Sequence, residues 1–94
     1  MTSTTPPSDR QDAAATDLAK RLGIDPADVE LVSQEAVTWR NSSIGCPEPG
    51  RVYGQALVAG HRIALRAQGH EYTYHSAGST APFLCEDPQE PATS

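Results

Sequence analysis

The sequence predicts a small α+β domain in which one N-terminal helix packs on an antiparallel sheet of four to five strands. Two patterns lead to this fold class. Apolar residues first recur at helical spacing, and from Val29 onward short β-branched and aromatic runs are separated by Gly, Pro and Asn. The chain has 94 residues, 37% of them hydrophobic, so its core is expected to be thin.

A helix is expected from about Asp9 to Leu22. Its apolar stripe consists of residues four positions apart, namely Ala14, Leu18 and Leu22. Ser8 followed by Gln11 forms a capping-box pattern at the start of this segment. Gly23 is the residue type that most readily ends a helix.

The remainder of the domain is predicted to be strands. Residues 29–39 form the first strand, with a bulge between Ser33 and Glu35 because the apolar side chains change face. Later strands are expected at 52–58, 61–67, 71–75 and 82–85, with a turn at 59–60 and a two-residue hairpin at 68–69. One helix covers one face only, so the other face is expected to be wet or to meet a partner.

The two ends have compositions typical of disordered tails. Residues 1–8 are rich in Ser, Thr and Pro, and residues 86–94 are acidic and contain Pro. Residues 9–85 are therefore predicted to form a single domain. Much of the net charge of −5 belongs to the tails, since residues 10–85 carry seven basic and eight acidic side chains. A nearly neutral domain argues against nucleic acid as a partner, because phosphate binding needs a surplus of Lys and Arg.

Targeting signals are not apparent in the sequence. It contains no apolar run long enough to span a membrane. The first eight residues lack the basic start and apolar stretch of a secretory signal. The predicted cellular compartment then depends on the redox state of the cysteines. A disulfide implies an exported or periplasmic protein, and free thiols imply a cytoplasmic one.

Two cysteines, Cys46 and Cys85, offer extra stability to a thin core. A disulfide closing a loop of this length stabilises a fold by about 4 kcal/mol in the chain-entropy model. The alternative is a metal or thiol site formed by Cys46, Cys85, His61 and His75. The close ligand pairs typical of zinc sites and the C-x-x-C of redox sites are both missing, which favours the disulfide.

The loop of residues 42–53 is the candidate binding element. Its prolines restrict the backbone, and a disulfide at Cys46 would hold it in place. A stiff exposed loop loses little entropy when it binds a partner, as in binding proteins and protease inhibitors. The candidate binding residues are Pro47, Glu48, Pro49, Arg51 and Tyr53. The alternative interpretation is a connection that Pro and Gly merely shape.

Catalytic motifs are missing from the sequence. It has neither a G-x-S-x-G elbow nor a phosphate-binding glycine loop. The prediction is therefore a non-enzymatic binding or inhibitory module without a cofactor, whose partner is another protein. Two alternatives stay open: the metal or thiol site, and a structural accessory domain whose sheet face a partner covers.

A resemblance to a known family extends from Trp39 to Cys85. The residues that carry it are Trp39, Ser43, Gly45, Cys46, Pro47, Pro49, Gly50, Tyr53, Gln55, Gly60, Ile63, Leu65, Tyr72, Tyr74, His75 and Cys85. In these positions the chain resembles a family of small uncharacterised bacterial domains that are often exported or lipid-anchored. The resemblance implies pairing of Cys46 with Cys85, and it implies no known activity.

Overall fold

In the part of the chain that the structure describes, one helix and four antiparallel strands make up the fold. The computed structural model describes residues 6–78, 80–86, 88 and 91–92. The elements in chain order are helix α1 (Pro6–Leu22), a 3₁₀ turn η1 (Pro26–Asp28), and the strands β1 (Glu30–Trp39), β2 (Val58–Ala67), β3 (His70–Ala77) and β4 (Thr80–Cys85). Each strand pairs with the next, in the order β1-β2-β3-β4, which confirms the predicted fold class. Within these described residues, no helix has the length and apolarity needed to cross a membrane.

Helix α1 ends where the sequence predicts but begins earlier. Its first residue is Pro6 rather than about Asp9, so Ser8 lies within the first turn and is not the N-cap. Proline suits the first turn of a helix because its φ is already helical and its missing N–H would have no intrahelical acceptor there. At the other end Gly23 adopts a φ of 70°, and its amide and the next one bond to carbonyls of the last turn.

The helix covers one face of the sheet and forms the main core. Leu18 lies fully buried against Ile63 of β2 and Tyr74 of β3. The Tyr74 hydroxyl donates a hydrogen bond to Asp17 Oδ2 over 2.6 Å, which joins the helix to the sheet. Bonds from Arg21 and Tyr74 lower the pKa of Asp17, whereas burial and the same Asp17 bond raise the pKa of Tyr74. The negative charge therefore stays on the carboxylate at this contact.

A bulge in β1 allows its apolar side chains to lie on both faces of the sheet. The pairing with β2 shifts between Leu31 and Ser33, just before the predicted position. Because side chains alternate along a strand, Leu31 lies on the face of the helix whereas Val37 and Trp39 lie on the opposite face. The mixed apolar pattern of residues 29–39 thus has a single structural cause.

Strand β2 differs from the sequence prediction. The predicted strand at 52–58 and the predicted turn at Ala59-Gly60 are both wrong, because β2 runs without a break from Val58 to Ala67. Gly60 pairs with Val37 inside the strand. A Cβ at Gly60 would lie 2.7 Å from Trp39 Nε1 and would overlap the Ser76 carbonyl. Glycine therefore permits a close crossing of the indole rather than a reversal of the chain.

The hairpin between β2 and β3 confirms the prediction at residues 68–69. Ala67 pairs with His70, which leaves a two-residue loop. Gln68 and Gly69 have φ values of 54° and 80°, the two positive angles of a type I′ turn. The predicted last strand at 82–85 is also present as part of β4.

The second face of the sheet is covered in part by the chain itself. Residues 40–57, which we call the anchored loop, fold over one end of this face, where Ile44 packs on Trp39 and Val37. The other end is polar and carries the ion pairs of Arg62 with Glu35 and of Arg66 with Glu71. The expectation of a wet or partner-covered face is therefore wrong at the end that the loop covers.

The C-terminal segment differs from the predicted tail at two described residues. Pro91 is buried, and the amide of Ala92 donates to the Thr38 carbonyl over 2.8 Å. This bond satisfies a backbone acceptor on the open edge of β1, which explains why the segment lies there. The predicted N-terminal tail falls mainly on residues 1–5, which lie outside the described residues.

The Gly60→Ala substitution tests the close crossing of the indole. The added methyl group would displace Trp39 or β3, so we expect the free energy of unfolding to fall by about 1–3 kcal/mol, as in other overpacked cores. Gly54→Ala is the matched control, since a Cβ there meets only Ser42 Oγ at 3.8 Å. Urea denaturation measures both variants. Equal stability of the two variants would contradict the packing described above.

Candidate functional site

The anchored loop is fixed at its centre by a disulfide. Cys46 and Cys85 are bonded, with 5.8 Å between their Cα atoms, so the loop is joined to the end of β4. The disulfide consumes both thiols, and the described residues include no free cysteine. The pairing that the sequence favoured is therefore the one in the structure.

The base of the anchored loop rests on two stacked aromatic rings. The rings of Trp39 and His75 lie 4.3 Å apart between centroids, with an angle of 26° between their planes. The indole Nε1 donates to the Ser76 carbonyl over 3.0 Å. Gly45 adopts a φ of 72° directly above these rings, where a Cβ would come within 2.6 Å of Trp39 Cε3 and 3.0 Å of His75 Cε1. Only glycine permits both this backbone angle and this contact.

His75 is held as a neutral ring beneath the loop. It is fully buried, and its Nδ1 lies 2.7 Å from the Ile44 carbonyl, which can only accept a hydrogen bond. Nδ1 therefore carries the proton, and Nε2 finds no partner among the described residues. Burial lowers the pKa of His75, and the charge of Arg62 lowers it further, although the bond to Ile44 opposes both. The loop consequently depends on an uncharged histidine.

The outer part of the anchored loop, residues 47–53, is stabilised by bonds among its own residues. We call this part the tip. The amide of Glu48 donates to the Tyr53 hydroxyl over 2.9 Å, and the Arg51 amide bonds to the Glu48 carbonyl over 3.1 Å. Arg51 also pairs with the Glu48 carboxylate at 3.2 Å and lies 5.7 Å from the centre of the Tyr53 ring. Ser42 and Gly54 close the neck of the tip with two hydrogen bonds of 3.2 and 3.0 Å.

The five predicted binding residues lie together in this tip. Three of them, Glu48, Arg51 and Tyr53, contact one another, so they hold its shape. Pro49 is exposed, and Pro47 is half-buried beside the disulfide. The structure thus brings the predicted set into one small surface element.

Sequence reasoning missed the most exposed apolar side chain of the tip. Val52 is 95% exposed, and Leu57 further along the anchored loop is 68% exposed. Residues 52–58 were predicted to be a strand, which would place such side chains in a sheet. The Pro and Gly content of residues 47–54 was the available signal that this segment is a loop instead.

The alternative metal or thiol site is not assembled. His61 and His75 lie on opposite faces of the sheet, because Ser76 and Arg62 are their respective partners across β2 and β3. Both cysteines are in the disulfide. No group of three His, Cys, Asp or Glu suited to a metal occurs in the described part of the chain.

Stability should fall as the solution becomes acidic, because His75 resists protonation in the folded state. The unfolded chain takes up this proton near the ordinary pKa of about 6.5, so the free energy of unfolding is fully retained above that pH. Below it, stability should decrease by up to about 1.4 kcal/mol per pH unit for this one proton.

Urea denaturation between pH 7.5 and 5.5 measures this slope. The His75→Phe variant keeps an aromatic ring on Trp39 but cannot titrate, so its slope should be shallower than that of the unmodified protein. His70→Gln is the control, because His70 is exposed at the hairpin, and it should keep the original slope. An unchanged slope in His75→Phe would show that His75 does not control the acid sensitivity.

Comparison with known proteins places the chain in a family. No curated protein and no solved structure matches it. A family model described as a domain of unknown function, DUF8738, matches residues 11–85. This range begins in α1 and ends at Cys85, so it contains the helix, all four strands and the disulfide. The chain belongs to the DUF8738 family of domains of unknown function.

Proposed function

We propose that this domain is a non-enzymatic recognition module that presents the tip, residues 47–53, to another protein. The observation that carries the proposal is Val52, an apolar side chain that is 95% exposed on a braced loop. Full exposure of a β-branched apolar side chain is unfavourable in water, and contact with a partner would relieve it.

The internal bonds of the tip support the proposal energetically. Association costs about 0.5–1.5 kcal/mol for each flexible side chain that becomes ordered. In the tip, Arg51 and Glu48 are already bonded to each other, and Tyr53 already accepts from the backbone. Little conformational freedom is left to lose, so the burial of Val52 contributes more of its free energy to binding.

The chemistry of the tip favours a protein partner over other ligands. Val52 would enter an apolar cavity on the partner, and the opposite charges of Glu48 and Arg51 would lie at its rim. A single cation in the tip gives little attraction to phosphate groups, which need several.

The test compares Val52→Ser with Leu57→Ser. Both substitutions remove an exposed apolar side chain, but only the first lies in the tip. Proteins retained by the immobilised domain are identified by mass spectrometry, and the binding of each purified candidate is then measured by calorimetry. We expect Val52→Ser to weaken binding at least tenfold, about 1.4 kcal/mol, and Leu57→Ser to leave it unchanged.

Two results would contradict the proposal. One is a partner that binds Val52→Ser as tightly as the unmodified protein. The other is a partner whose affinity depends on Leu57 rather than on Val52. Thermal unfolding of both variants serves as a control, since both side chains are exposed and neither change should alter the fold.

A further inference from the structure

Strand β1 leaves one edge of the sheet open to another chain. It is ten residues long, and among the described residues it has a sheet neighbour only on the side of β2. An edge strand presents unpaired backbone groups that can accept an added strand. The chain already uses this property at one end, where the amide of Ala92 donates to the Thr38 carbonyl over 2.8 Å.

The alternation of the ladder identifies the other outward groups of β1. In an antiparallel pair, every second residue directs its amide and carbonyl away from the neighbouring strand. Since the Thr38 carbonyl points outward and the pairing is regular from Ser33 to Trp39, the backbone groups of Ala36 and Gln34 point outward as well. An added strand would find its hydrogen bonds at these two residues.

A groove with a mixed lining, polar from Gln11, Asp12 and Thr16 and apolar elsewhere, adjoins the first half of this edge. It has a volume of about 490 Å³ and lies between α1, η1 and β1. Its apolar lining includes Ala15, Pro26, Val29 and Leu31. Leu31 is 43% exposed, and the bulged Val32 next to it is 41% exposed. The groove is suited to an aliphatic side chain.

The surroundings of the groove are acidic. Asp12 of α1 lines it, and Asp25 and Asp28 lie at the two ends of the η1 segment that forms its other wall, whereas Arg10 at the start of α1 is the one nearby cation among the described residues of that turn. Arg21, in the last turn of α1, already pairs with Asp17. A basic segment is therefore attracted here and an acidic one is repelled.

This charge argues against a second copy of the chain as the occupant. A symmetric dimer through this edge would bring β1 itself to the groove. The sequence of β1, ELVSQEAVTW, carries two acidic residues and no basic residue. A second copy of β1 would therefore bring no cation to the groove, whereas a lysine- or arginine-bearing segment would complement it.

We propose that the edge of β1 binds an extended, basic segment of another protein as an added strand. Its backbone pairs with Gln34 and Ala36, an aliphatic side chain enters the groove at Leu31, and its cations lie near Asp12 and Asp28. Such strand addition draws its affinity from main-chain bonds and its specificity from side-chain pockets. The surface is separate from the tip and does not depend on it.

The test titrates the full chain with a capped hexapeptide of alternating lysine and valine, followed by amide chemical shifts. We expect shifts at Leu31, Gln34 and Ala36, and a dissociation constant that rises with salt. A glutamate–valine hexapeptide should bind at least tenfold more weakly. Leu31→Ser should weaken binding of the basic peptide several-fold, while Leu57→Ser and Val52→Ser should not.

Several results would overturn this proposal. They are an absence of shifts at millimolar peptide, equal binding of the acidic peptide, and shifts confined to the tip. Sedimentation supplies a fourth, namely a concentration-dependent dimer whose formation shifts the Gln34 and Ala36 amides. Because Val52→Ser removes only the tip contact, failure at this edge is distinguishable from failure of the proposed tip function.

Discussion

The stacked pair of Trp39 and His75 beneath Gly45 is the contact on which the second half of this fold depends. One helix covers only one face of a four-stranded sheet, and the opposite face carries a tryptophan. The anchored loop buries that indole completely, and two of the buried nitrogens find backbone partners, the indole Nε1 at the Ser76 carbonyl and the imidazole Nδ1 at the Ile44 carbonyl. Without this contact the disulfide would join the loop to β4, but the base of the loop would have no aromatic surface to pack on.

This arrangement divides the anchored loop into parts with different roles. The base is buried and carries the aromatic contacts, whereas the tip extends from it and is braced by its own side chains. A binding loop needs a rigid base and an exposed tip, because its conformational entropy is then lost during folding rather than during association. The edge strand β1 is also fixed in place, since it pairs with β2 and packs against α1. Both proposed surfaces therefore lie on fixed elements.

Features that depend on neighbouring residues could be predicted from the sequence, whereas features that depend on contacts between residues distant in the chain could not. The helix end at Gly23 and the hairpin at residues 68–69 depend on neighbouring residues alone, so both were predicted. The prediction of a turn at Ala59-Gly60 is wrong because the space requirement at Gly60 comes from Trp39, which is distant in the chain. The same limit explains the candidate site. Pro and Gly marked the loop correctly, but the exposure of Val52 became visible only when residues 52–57 proved not to be a strand.

Hydrogen exchange of the Trp39 indole proton, before and after reduction of the disulfide, tests this account most directly. In the oxidised protein we expect the indole proton to be protected to the same degree as the amide of Ile63 in the helix-covered core. Reduction releases the loop, so the indole proton should then lose more protection than the Ile63 amide does. An indole proton that exchanges freely in the oxidised protein, or that reduction leaves unaffected, would contradict the claim that the anchored loop buries Trp39 on the second face of the sheet.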